Sequence, residues 1–80
     1  MDSFKLTVAE SAQAELLALP FPFRRQIHQR ILAIREDPHP ADAQQIGSLS
    51  AYSLEAHGFV LKYSVDEAAR KILIIAIRRP

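Results

Sequence analysis

The sequence predicts a small α+β protein: one strand, a helical hairpin, then a three-stranded antiparallel meander with both helices laid on one sheet face. Three observations carry this. Apolar residues recur at helical spacing up to residue 34, and from Ala51 the period changes to two. Prolines at 20, 38 and 40 punctuate the helical part. His57-Gly58 separates two alternating runs as a two-residue hairpin turn does.

Phe4-Lys5-Leu6-Thr7-Val8 alternates apolar and polar residues, which suits a strand buried on one face. Ala12, Leu16 and Leu19 then mark a short helix, with Ser11 as its expected N-cap and Pro20 as its limit. Pro22 fits the first turn of a second helix, where its missing N–H costs nothing, and Phe23, Ile27, Ile31 and Ile34 form one apolar stripe along it. Asp37-Pro38 ends that helix, because the residue before proline is pushed out of the α region. Residues 38–50 have no periodicity and read as a connection with a short helical turn at Ala41–Gln45.

In the meander, Tyr52, Leu54 and Ala56 share one face, as do Phe59, Leu61, Tyr63 and Val65. A two-residue turn at His57-Gly58 sets Tyr52 opposite Tyr63, Ser53 opposite Lys62, Leu54 opposite Leu61 and Glu55 opposite Val60. A longer turn at Asp66–Arg70 leads to Ile72 through Ile77, apolar at every position, as expected of a strand covered on both faces. The other sheet face would then show Ser53, Glu55, Val60, Lys62, Ser64, Ile74, Ala76 and Arg78.

Composition sets the outer limits. Eighty residues suit a single domain, 1–80, and so short a chain buries a smaller share of its surface than a typical domain, so it is expected to lean on a partner. With no cysteine and three scattered histidines, neither a disulfide framework nor a metal site is expected, and no cofactor is implied. No segment approaches a membrane span and the N-terminus lacks a leader pattern, so a cytoplasmic location is expected. The net charge is only +1, but it is unevenly spread: −2 over residues 1–19, +4 over 20–35, −4 over 36–59 and +3 over 60–80. Arg24, Arg25, Arg30 and Arg79 are therefore candidate phosphate contacts, although a solvated basic helix face accounts for the helical ones equally well.

Three stretches in order, FKLTVAESAQAELLALP, RRQIHQRILAIREDPHP and GSLSAYSLEAHGFVLKYSVDE, resemble the RelE/ParE toxin superfamily over about 75 residues. The resemblance implies the same fold, a cognate antitoxin as partner, and, for catalytic members, cleavage of mRNA at the ribosomal A site by in-line attack of a ribose 2′-hydroxyl. That chemistry calls for cations at the phosphate together with a base and an acid. Here Ser53, Glu55 and Val60 stand where the family pattern has arginines, and its Gly-His-Arg-like segment and aromatic have no counterpart after Ile77. The remaining candidates are Glu55 as base, His57 as acid, and Lys62 and Arg78 as phosphate clamps. The alternative is an exposed Glu55–Lys62 cross-strand pair worth about 0.2–1 kcal/mol, with His57 as a turn residue. Val60, Ile74 and Ala76, apolar where the family keeps charge, suggest contact with a protein partner.

Three functions follow from the resemblance: a toxin-derived protein with weak or absent mRNA cleavage, an active mRNA interferase, or a ParE-like gyrase inhibitor or non-toxic binding module. Ribosome with mRNA, or DNA gyrase, would be the target of the toxic forms.

Overall fold

The computed structural model describes residues 4–47 and 50–79. Its elements are β1 (Lys5–Val8), α1 (Glu10–Leu17), α2 (Phe21–Glu36), β2 (Gln44–Gln45), β3 (Ala51–Ala56), β4 (Phe59–Asp66) and β5 (Lys71–Arg78). Ser48 and Leu49, within the predicted connection, lie outside the described residues, as does Pro80.

Both helices start on backbone logic rather than on side-chain caps. The amide of Ala9 still donates to the Ile74 carbonyl at 2.9 Å, and the chain turns into α1 at the next residue. Ser11, the expected N-cap, is therefore already inside the helix, and the cap position is Ala9 with no side-chain bond. Glu10 in the first turn complements the positive end of the helix dipole. Pro22 sits in the first turn of α2, and Asp37 leaves the helix in an extended conformation (φ −139°, ψ 92°) immediately before Pro38.

The sheet has five strands in the order β1-β5-β4-β3-β2. β1 runs parallel to β5 and the other pairings are antiparallel, so the sheet is mixed. The helical hairpin between β1 and the meander carries the chain back to its starting end, which the parallel pairing requires. Of the residues expected to form a helical turn at Ala41–Gln45, Ala41 and Asp42 do turn, closed by the Ala43 amide on the Pro40 carbonyl (3.0 Å), whereas Gln44–Gln45 supply β2, held beside β3 by register Gln44–Ser53 and by the Ile46 amide on the Ala51 carbonyl (2.8 Å). An otherwise open edge of β3 explains the preference.

The β3–β4 register is the one expected, from Ala51 opposite Ser64 to Ala56 opposite Phe59. His57 (φ 54°) and Gly58 (φ 83°) are both left-handed, as the tight hairpin demands. Between β4 and β5 a bulge intervenes: Lys62 lies opposite Ala76 but Tyr63 opposite Ile74, leaving Ile75 without a partner.

The core fills the space between the helices and one sheet face. Ile27, Ile31 and Ile34 from α2 and Ala12 and Leu16 from α1 meet Leu54, Phe59, Leu61, Tyr63, Val65, Ile72, Ile74 and Ile77. Each isoleucine fully removed from water contributes about 1.5–3 kcal/mol. Phe23, expected on the same stripe, is 41% exposed and touches only the rim, edge-on to Phe59 at 5.8 Å.

The prediction that β5 is covered on both faces is corrected. Helices cover one face only, and Leu73 (39%) and Ile75 (40%) are exposed on the other. The bulge also overturns the placement of Ile74 on the outer face: it is 0% exposed, opposite Tyr63 in the core. Skipping one residue at Ile75 switches the side-chain parity, so Ile74 and Ala76 point to different faces.

Candidate functional site

The strand registers arrange the uncovered sheet face in rows. One row runs Glu55, Val60, Arg78; the next Ser53, Lys62, Ala76; the next Ala51, Ser64, Leu73, Thr7. A last row, Asp66, Lys71, Lys5, closes the other end. The registers therefore bring Glu55, Val60, Lys62, Ala76 and Arg78 into two neighbouring rows, and they exclude Ile74.

Proximity has not made these side chains a linked constellation. Among the described residues, no hydrogen bond or ion pair joins Glu55, His57 or Lys62 to any other side chain. His57 lies at the hairpin tip, beyond the last paired residues Ala56 and Phe59. Arg78 is engaged elsewhere: its Nε stands 3.1 Å from Oε2 of Glu15 on α1, whose Oε1 accepts the Ile77 amide at 3.1 Å. One carboxylate thus satisfies the free edge of β5 past the end of β1 and neutralises the cation next to it.

The helical arginines divide into two kinds. Arg30 donates through Nη2 to both carboxylate oxygens of Asp42 (2.7 and 2.9 Å), tying α2 to the connection before β2. Arg24 and Arg25 have no acidic partner among the described residues, and the Arg24 guanidinium lies 5.7 Å from the Phe21 ring centre. Arg79 lies over the Phe59 ring at 5.5 Å, at the helix side of the sheet end and apart from Lys62.

A second cluster was not anticipated. Tyr63, 0% exposed, donates its hydroxyl to the Pro38 carbonyl at 2.9 Å, Tyr52 stacks on it at 5.6 Å, and His39 packs edge-on against Tyr52 at 5.1 Å. His39 Nε2 meets the Glu67 carboxylate in the β4–β5 turn. Burial, and then the neighbouring Tyr52, push the Tyr63 hydroxyl up to about 12, so at neutral pH it is a neutral donor and no proton acceptor. Alternation placed both tyrosines on the core face; the pairing with residues 38, 39 and 67 depends on loop paths that no periodicity encodes.

Chemically, the two rows around Lys62 offer one unpaired ammonium beside a carboxylate, Glu55, while the other lysines of this face, Lys5 and Lys71, stand in the row at its opposite end. That suits weak attraction of a single phosphate, whereas a phosphorane-like transition state calls for several converging cations. Among the described residues, no three His, Asp or Glu side chains group as metal ligands. No described helix is long and apolar enough to cross a membrane.

No protein-family model matches the chain, and no curated protein matches it by sequence. Solved structures do match. A chain of the intact E. coli RelBE toxin–antitoxin complex superposes with a TM-score of 0.85 at 20% identity, over 98% of this chain and 98% of that one. A chain of the Mycobacterium tuberculosis RelBE2 toxin–antitoxin complex gives 0.85 at 12% identity, covering 98% and 99%. The YoeB/ParE toxin from Agrobacterium tumefaciens gives 0.79 at 13% identity, covering 95% and 98%. Strand order, helical hairpin and near-complete mutual coverage agree, and the chain has the RelE/ParE toxin fold.

Proposed function

We propose that this chain derives from the toxin component of a type II toxin–antitoxin system, cleaves ribosome-bound mRNA weakly or not at all, and works mainly by binding a protein partner such as an antitoxin. The observation that carries the reading is the make-up of the uncovered face around Lys62. Ser53, Glu55, Val60 and Ala76 surround it, and Arg78 is held by Glu15. A carboxylate where a phosphate should rest repels it, and each missing preorganised donor costs about 10²–10³ in rate.

The same face supports protein contact. Exposed Leu73 and Ile75, in place of the buried Ile74, and half-buried Val60 give it an apolar centre bordered by Lys62 and Ser64, whereas Ala76, the other expected contact, is itself buried at 6% exposure. The partner in the E. coli and M. tuberculosis complexes is an antitoxin, and an equivalent protein is the natural ligand here. Lys62, Arg78, Glu55 and His57 remain the residues through which residual cleavage would run, and a ribosome or gyrase target belongs to the toxic alternatives.

Induced expression of the chain without a partner protein, followed by pulse-labelling of protein and DNA synthesis, tests the reading. Both rates should persist. Rapid loss of protein synthesis would favour the active interferase, and selective loss of DNA synthesis the gyrase-directed form.

A further inference from the structure

The groove between the two helices is unlike the rest of the helical surface. Its floor is Leu16 and Leu17 of α1 with Phe21 of α2, and Gln13, Arg24, Arg25 and His28 complete it around a volume of about 370 Å³. Leu17 is 60% exposed and Phe21 63%, the two most exposed large apolar side chains among the described residues. Apolar side chains left this open over a concave surface mark a contact site more often than a scattered exposed leucine does.

The charge around the groove has one sign. No carboxylate lines it, and Arg24 and Arg25 lack acidic partners among the described residues, whereas Arg30, one turn further along α2, is matched by Asp42. Arg24 lies against the Phe21 ring at 5.7 Å, beside the apolar floor. An occupant must bring apolar anchors for Leu17 and Phe21 and negative charge for the two arginines. Because the groove is walled by helices, whose backbone groups are already hydrogen-bonded internally, it offers no edge for strand addition.

We propose that this groove binds an acidic amphipathic helix of a partner protein, seating apolar side chains at i, i+4 and i+7 against Leu17 and Phe21 while its carboxylates meet Arg24 and Arg25. The site is separate from the sheet face, so its occupancy does not depend on whether the protein cuts mRNA. Charge complementarity decides the class of occupant: a basic or neutral helix would leave both arginines unmatched, and an RNA strand would leave Leu17 uncovered.

The test uses the full chain and a labelled synthetic helical peptide of about 18 residues, roughly five turns, with leucines at i, i+4 and i+7 flanked by glutamates. The controls are the same peptide with every glutamate made lysine, a scrambled peptide of equal composition, and a single-stranded RNA of similar length. Fluorescence anisotropy should show binding of the glutamate peptide only. Arg24→Glu with Arg25→Glu should weaken it about tenfold or more and admit the lysine peptide instead; Leu17→Ser should weaken it by about tenfold with no charge change. Should the double charge reversal melt early, Arg24→Gln with Arg25→Gln serves, with weaker binding again expected. Failure of the glutamate peptide to bind, equal binding of the scrambled peptide, preferential binding of RNA, or indifference to the groove substitutions would each overturn the assignment.

Discussion

Glu15 grips β5 twice, through Oε2 on the Arg78 guanidinium and Oε1 on the Ile77 amide, each at 3.1 Å. The two bonds differ in weight. Arg78 is 65% exposed, so the ion pair is worth under about 1 kcal/mol, whereas the part-buried amide loses its acceptor outright if Glu15 is truncated. Glu15→Ala should therefore destabilise by about 1–2 kcal/mol in urea titration, and Arg78→Ala by less than half of that. Equal losses would mean the ion pair, and not the amide, carries the contact.

Tyr63 links the sheet to the exit of α2 through the Pro38 carbonyl. Its hydroxyl titrates near 10 in an unfolded chain and is pushed up to about 12 in the fold by burial. Between those values the folded state holds a proton that the unfolded state has lost, so stability is complete below pH 10 and falls as pH rises toward 12. Tyr63→Phe should cost about 1 kcal/mol at pH 7 and remove that alkaline slope, as followed by denaturant midpoints between pH 8 and about 12. A slope that survives in the variant would assign it to other groups.

The bulge assigns opposite environments to adjacent residues. Threonine keeps strand preference, so Ile74→Thr and Ile75→Thr isolate burial. The first puts a hydroxyl into the core and should cost about 2–4 kcal/mol, and the second should stay within about 0.5 kcal/mol. Thermal melts giving the reverse order would place the register shift elsewhere.

At the hairpin, Gly58 has φ 83° and nothing within 4 Å of where a Cβ would sit. Gly58→Ala should therefore cost about 1–2 kcal/mol through backbone strain alone. His57→Asn, which keeps a residue tolerant of left-handed φ, should leave stability unchanged. A substantial loss for His57→Asn would show that the imidazole does more than occupy the turn.

How far the sequence reached is seen in these same residues. Alternation and a two-residue turn specify the β3–β4 register because a slip of one residue would turn every apolar side chain outward. The run Ile72–Ile77 offers no such parity, being apolar throughout, so the bulge and the burial of Ile74 were hidden in it. Parallel pairing of β1 with β5 is a long-range choice, and the Glu15 contact to Arg78 follows only once that pairing brings α1 beside the strand end. Lys62 and Glu55 were placed correctly on the uncovered face, whereas the engagement of Arg30 by Asp42 required the path of the connection before β2.

We propose that the face around Lys62 is too poor in cations to cleave mRNA. Primer extension on a defined mRNA in a purified translation system tests it directly, comparing the chain with Lys62→Ala and Arg78→Ala. All three should give the background pattern, or at most faint cuts. Strong cuts at fixed codon positions that disappear in either variant would contradict the account and make Lys62 or Arg78 a catalytic residue.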